Sequence, residues 1–265
     1  MTSIRDDLTV VIITKNEELN IGSIVESWRA LAPVIVVDSN SWDNTAELAV
    51  RAGATVIKQD WLGFGKQKQF AIEAAPTDWV LSIDADEWPT RKLLLTLRDL
   101  PLNDHEIGFN LKRQSYFLGS RVNFCGWQND KILRLFSKRT GHFDQRIVHE
   151  KVIHKGSTQT LSGLLLHHSY TRKSDIAKKV ARYARLSATH ALANGEITSL
   201  RLKAMFGPSW ATFKILVLKA GFLDGVTGLR IARMNARTVA RKYQLLNRLI
   251  THTRFSNTLS LKIYD

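Results

Sequence analysis

"VLSIDADEWP" (residues 80–89) decides how this chain is read. Val80, Leu81 and Ile83 are the apolar residues of a buried strand, and Asp84, Asp86 and Glu87 arrive where that strand should end. Upstream, "LTVVIIT" (8–14), "VIVVD" (34–38) and "ATVIK" (54–58) read as three earlier strands, which makes "DWVLSID" (78–84) the fourth. The segments between them read as helices. In "LNIGSIVESWRAL" (19–31), Ile21, Ile24, Val25, Trp28 and Leu31 share one side; Gly53 ends "WDNTAELAVRAG" (42–53) and Pro76 stops "GKQKQFAIEAA" (65–75). Short apolar strands alternating with helices predict an α/β domain, a mostly parallel sheet with helices on both faces. Ligands of such sheets bind beyond the carboxyl ends of the strands. "TKNE" (14–17), "DSNSWDNT" (38–45), "QDWLGFGKQKQ" (59–69) and "DADE" (84–87) all fall on that rim.

Two carboxylates close together repel unless a cation neutralises them, and hard oxygen ligands suit a divalent ion. Asp84-x-Asp86 at a strand end is therefore a candidate site for Mg²⁺ or Mn²⁺, which takes further oxygens from a substrate diphosphate. Such a motif alone also fits a simple cap on the helix that follows Pro89. Lys66 and Gln67 open the third helix beside Gly63 and Gly65, and a helix N-terminus with cations nearby suits phosphate. "GFG" is not a dinucleotide-binding fingerprint, because the glycine pattern is incomplete and follows the wrong strand.

Beyond residue 105 the pattern changes. "HEIGFNLKRQSYFLGSRVNFCGW" (105–127) and "KILRLFSK" (131–138) read as strands without intervening helices, and "GHFDQRIVHEKV" (141–152) and "TLSGLLLHHSY" (160–170) follow. After Ser174 the chain reads as helical almost to its end.

Composition narrows the field. One cysteine among 265 residues, Cys125, permits no internal disulfide and has no metal-ligand spacing around it. Asp6 and Asp7 stand where a secretion signal carries positive charge, and no run of about 20 uncharged apolar residues suggests a membrane span. The net charge of +14 is unevenly placed: residues 1–171 are balanced, while 172–265 hold 18 Lys and Arg against 4 Asp and Glu. The expected organisation is a catalytic domain at 1–171 and a basic helical region at 172–265 that meets a polyanion.

The segments "VVIITKNEELNI", "VIVVDSNSWDNT", "SIDADE" and "RLFSKRTGHFDQRIVHE", in this order, resemble family 2 glycosyltransferases of the GT-A fold over residues 8–170. "GWQND", "IVHE", "LHHSY" and "GFLDGVTG" (221–228) more narrowly resemble the bacterial β-1,4-glucosyltransferases of the lipopolysaccharide inner core. The resemblance implies inverting transfer of a sugar, glucose from UDP-glucose to a core heptose in the narrow form. It implies that Thr14, Asn16, Glu17 and Asp38 hold the nucleoside, that Asp84 binds ribose or metal-linked water, and that Asp86 is the main metal ligand. A histidine from "LHHSY" completes the metal site. His167 and His168 alternate faces on a strand, so one points inward, and His167 is favoured. Glu150 aligns with the family's catalytic base, although the pair reads His149-Glu150 where the family has Glu-Asp; Asp130 in "GWQND" is the alternative. No nucleophile-elbow pattern surrounds a serine.

Arg230, Arg233, Arg237 and Arg241 are spaced 3, 4 and 4 apart, one stripe on a helix, with Lys178, Arg182 and Arg185 as a smaller one. "FGPSWATFKILVLKAGFL" (206–223) is apolar, carries Lys214 and Lys219, and is too short to span a bilayer. Together they suggest an enzyme in the bacterial cytoplasm, peripheral on the inner face of the inner membrane, with an anionic lipid surface and a lipopolysaccharide core acceptor as partners. Nucleic acid is the weaker reading, since neither a helix-turn-helix nor a zinc-finger signature is present. A sugar-nucleotide pyrophosphorylase needs a Gly-rich, Arg-containing first loop, where this chain has "TKNEELN".

Overall fold

A computed structural model describes residues 4–128, 130–144, 150–195 and 200–261. The chain divides into two compact units, 1–114 with 129–168, and 115–128 with 169–265.

The first unit begins with the expected alternation: β1 (Leu8–Thr14), α1 (Ile21–Arg29), β2 (Val34–Asp38), α2 (Thr45–Arg51), β3 (Thr55–Lys58), α3 (Phe64–Glu73) and β4 (Trp79–Asp84). Then come β5 (Glu87–Pro89), α4 (Arg91–Arg98), β6 (Ile107–Phe117), β7 (Ser120–Arg121), which falls within the second unit, β8 (Asp130–Ser137), β9 (Gly141–Phe143), β10 (Val152–His154), β11 (Ser157–Thr160) and β12 (Leu165–Tyr170). The main sheet runs β3-β2-β1-β4-β8-β6-β12-β5. It is parallel from β3 through β4, and β8 joins β4 antiparallel.

Alternation of side chains across the pleat explains the two cores. Val10 and Ile12 of β1 point to one face, where Ile24, Trp28, Ala49, Leu93 and Leu97 cover them from α1, α2 and α4. Val11 points to the other, against Ala71 and Ile72 of α3. Both faces of the parallel half are thus sealed, and its strands carry near-continuous apolar runs. Only the strand ends are left to carry polar groups into solvent.

The 105–127 stretch holds two strands with no helix between them. β6 ends at Phe117, and Leu118 and Gly119 adopt positive φ at the turn into β7. β9 pairs antiparallel with β10, with His142 opposite Ile153; residues 145–149, between them in sequence, lie outside the described residues. Gly163, with φ of +94°, approaches the Leu93 backbone so closely that a Cβ would stand 2.5 Å from its nitrogen. This close approach sets β12 beside α4, and with it the register that places His167 opposite Glu87.

The second unit is helical: α5 (Lys173–Ala193), α6 (Leu200–Phe213), a π turn at Lys214–Leu218, a 3₁₀ turn at Gly221–Asp224 and α7 (Gly225–Leu261). Its core gathers Phe117, Val122, Cys125, Val180, Ile231 and Met234. Asp224 ties the 115–128 segment to the helices by accepting from the Asn123 and Phe124 backbone N–H groups at 3.0 and 2.9 Å.

Candidate active site

The ends of β1, β2 and β4 and the start of α3 meet on one rim, as parallel pairing in register requires: Thr14 lies opposite Asp38, and Ile13 opposite Asp84. Asn16 adopts φ of +57°, a conformation that asparagine tolerates. Its N–H donates to Ser41 Oγ at 2.8 Å and its Oδ1 accepts from the Trp42 N–H at 3.1 Å. The Glu17 N–H donates to Thr45 Oγ1 at 2.7 Å, and its carboxylate accepts from Asn20. Asp38 is buried and accepts from the Ser41 N–H at 2.9 Å and the Ser41 hydroxyl at 2.5 Å. Thr14 Oγ1 is buried with no hydrogen-bond partner among the described residues, an orphan polar atom at the mouth of the sheet.

On α3 the structure departs from the residues singled out in the sequence. Lys66 is exposed, and Gln67 is fully buried. Gln67 donates to Ser39 Oγ at 3.1 Å and accepts from the Leu62 N–H at 3.2 Å, so its side chain fastens the loop ahead of the helix. The cation that reaches the acidic strand end is Lys68, 4% exposed, whose Nζ stands 2.7 Å from Asp84 Oδ1 and 2.9 Å from Glu150 Oε1.

From Lys68 a chain of alternating charges runs across the rim. Arg134 of β8 lies 2.5 Å from Asp84 and 2.6 Å from Glu87. Arg113 of β6 lies 3.4 Å from Glu87 and 2.5 Å from Asp130. Glu150 and Asp130, the two candidates for the base, are therefore the opposite ends of one series: Glu150, Lys68, Asp84, Arg134, Glu87, Arg113, Asp130. Glu87 is fully buried and also accepts from the Asp84 N–H at 3.0 Å, which locks the turn between the two acids. Burial pushes the Asp84 carboxyl upward in pKa, but Arg134 and Lys68 beside it outweigh that and hold it far below the usual carboxylate range.

Asp86, between Asp84 and Glu87 in sequence, faces a histidine. Its Oδ2 is 3.4 Å from His167 Nε2, and its carbonyl accepts from the His168 N–H at 3.0 Å. His168 turns its ring edge-on to Trp88, with centroids 5.2 Å apart. Burial, with His167 alongside, lowers the pKa of His168.

The donor set fits a hard divalent cation. Two donors about 2 Å from one ion stand roughly 3–4 Å apart, and the Asp86–His167 separation of 3.4 Å falls within that. Among the described residues no cluster of three or more His, Cys, Asp or Glu forms. Asp86 and His167 would thus share the ion with water and substrate oxygens.

Lys68, Glu87, Arg113 and Arg134 were not among the site residues picked out from the sequence. One sign of Lys68 was legible: with Gly65, Ala71 and Ile72 it occupies the buried face of α3, where a lysine needs a partner.

This rim gathers charged and hydrogen-bonding side chains at the strand ends of an α/β fold. Residues 9–154 match the model of "Glycosyl transferase family 2", and the chain belongs to that family of glycosyltransferases. It is 28% identical over 253 residues, 90% of this chain and 93% of the other, to the lipopolysaccharide core biosynthesis glycosyltransferase LpsC of Rhizobium meliloti. An uncharacterized glycosyltransferase of Rickettsia typhi is 28% identical over 83% of this chain and 80% of its own. Among solved structures, mannosyl-3-phosphoglycerate synthase from Rubrobacter xylanophilus is 24% identical with a TM-score of 0.33, over 42% of this chain and 40% of that one. Glucosyl-3-phosphoglycerate synthase from Mycobacterium tuberculosis, solved with Mg²⁺ and UDP, is 26% identical with a TM-score of 0.33, over 42% and 44%.

Proposed function

We propose that this chain is an inverting hexosyltransferase that moves a sugar from a UDP-sugar to a saccharide of the lipopolysaccharide core, with glucose and an inner-core heptose as the specific pair. The observation that carries the reading is the Asp86–His167 pair standing beside the charge series that ends in Glu150. LpsC, matched over nearly its whole length, bears a name that assigns that protein to lipopolysaccharide core biosynthesis, which supports the acceptor class.

Thr14, with its unpartnered hydroxyl, and Asn16, Glu17 and Asp38 around it form the nucleoside end of the rim. Asp86 and His167 would hold a divalent ion, Mg²⁺ or Mn²⁺, which when bound would stabilise negative charge on the leaving diphosphate. Lys68 and Arg134 orient Asp84 toward the ribose side. Glu150, held by Lys68, takes the proton from the acceptor hydroxyl as that oxygen attacks the anomeric carbon, with Asp130 as the alternative base. The test is release of UDP from a panel of UDP-sugars, with and without a delipidated core oligosaccharide, before and after chelation. Acceptor-dependent UDP release supports the reading, and release that ignores the acceptor refutes the transferase assignment.

We further infer peripheral attachment to an anionic membrane surface on the cytoplasmic side. No helix among the described residues is long and apolar enough to cross a bilayer. Yet Met205, Phe206, Trp210, Phe213, Phe222 and Val226 are all exposed on the second unit, a dense apolar series for a surface facing water. Arg201, Lys203, Lys214 and Lys219 flank it, and the nearby acid, Asp224, is spent on backbone N–H groups. Apolar insertion with basic flanks is the chemistry of an interfacial element. Replacing Phe206 and Trp210 with Ser should abolish sedimentation with vesicles containing anionic lipid; unchanged sedimentation sinks the inference.

A further inference from the structure

The arginines of α7 border an enclosure. Within the second unit a cavity of about 600 Å³ lies between α5 and α7, with Phe117, Ile176, Val180 and Met234 among its walls. Lys173, Arg230, Arg233, Arg237 and Arg241 line it too. No carboxylate does so among the described residues. α7 has no Asp or Glu from Gly225 to Leu261, and Asp175 of α5 is occupied at its own helix start, accepting from the Arg172 N–H at 3.1 Å. None of the four arginines forms an ion pair with a described residue.

Like charges at three- and four-residue spacing on a helix repel one another. A counter-anion removes that repulsion, and guanidinium groups match phosphate with paired N–H donors. The volume is that of a small-molecule site. From Arg230 to Arg241 the helix rises roughly 16 Å, more than one phosphate can cover. One phosphate also carries at most about two negative charges, against five cations here. The walls behind those cations are apolar, so a wholly polar polyanion would leave them unmatched.

We propose that this cavity binds a phosphorylated amphiphile, a ligand presenting at least two phosphate groups against an apolar body. The proposal deepens the acceptor half of the reading above and rests on it only for the origin of the ligand. Binding is measured without any sugar donor, so its failure and a failure of UDP release are separate results.

The experiment uses the full chain and two probes. Tripolyphosphate, titrated calorimetrically at low salt, reports soluble phosphate binding. Phosphatidylcholine vesicles with and without phosphatidylglycerol report headgroup binding. The variants are Arg233→Gln/Arg237→Gln together and, as control, Arg248→Gln, which does not line the cavity. One tripolyphosphate per chain is expected, weakened tenfold or more in the double variant, unchanged in the control, and weakened by salt. If tripolyphosphate fails but phosphatidylglycerol vesicles bind with the same dependence on Arg233 and Arg237, the phosphates come from lipid headgroups and the site stands. If neither probe binds, or the double variant binds as the wild type does, the proposal is overturned. Circular dichroism of the double variant establishes that it is folded, and Arg233→Lys/Arg237→Lys, which keeps the charge, should retain most of the binding.

Discussion

Lys68 and Glu150, 82 positions apart in the sequence, meet at 2.9 Å. The same ammonium group lies 2.7 Å from Asp84. One helical lysine therefore joins the strand-end acids to the candidate base. Glu150→Gln should preserve donor affinity and lower turnover by roughly 100-fold or more, the scale of a lost general base. A donor-binding titration beside a steady-state rate separates the two quantities. An active Glu150→Gln together with a dead Asp130→Asn of normal donor affinity transfers the role to the other end of the charge series.

Asp86 contacts His167, and its carbonyl accepts from the His168 N–H of β12. Asp86→Ala should abolish transfer while leaving the thermal unfolding transition nearly in place. Chelation should silence the wild type, and Mg²⁺ or Mn²⁺ should restore it. Full activity in excess chelator would remove the ion from the mechanism.

Arg134 is 4% exposed and holds two carboxylates, one of them fully buried. Arg134→Met leaves Asp84 to Lys68 and Glu87 to Arg113. Breaking a buried ion pair costs about 3–5 kcal/mol, which a urea titration resolves. Arg139→Met, which removes an exposed partner of Asp78, should barely move the midpoint.

Asp84 has its pKa lowered in the folded state, so it binds a proton more readily once unfolded. Its contribution to stability is complete above the unfolded carboxylate value of about 3.9 and is lost as pH falls below that value. Urea midpoints measured from neutral pH down to about pH 3 should fall less steeply for Asp84→Asn than for the wild type. Parallel curves would show that Asp84 is not held by its cations.

Cys125 is buried, and burial together with Asp224 pushes its thiol up to about 12. A disulfide reagent at pH 8 should react with it slowly in the native protein and rapidly in denaturant. Rapid native labelling would contradict the packing of Cys125 against the helices.

The strands and helices of the first hundred residues were legible because periodicity is local. The alternation of Val10, Val11 and Ile12 across the pleat, and the 3.6-residue spacing of Ile21, Ile24, Val25 and Trp28, need no knowledge of partners. Parallel pairing then brings the strand ends to one rim, so Thr14, Asp38 and Asp84 could be grouped from sequence. Which cation serves them could not. Lys66 and Lys68 are two residues apart, and helix rotation turns one to solvent and the other inward. Glu87 read as one more rim acid, but its burial depends on Arg134 and Arg113 arriving from β8 and β6, strands whose register shifts at Phe109 and Asn110. The arginine stripe of α7 was legible as spacing, whereas the cavity beside it forms between α5 and α7, with Phe117 of β6 among its walls, and is set by tertiary packing. Composition and period determined the elements and the sign of each charge. Tertiary packing decided which charges meet, because ion pairing depends on a few ångströms of separation and on burial, and both are set by residues far apart in the chain.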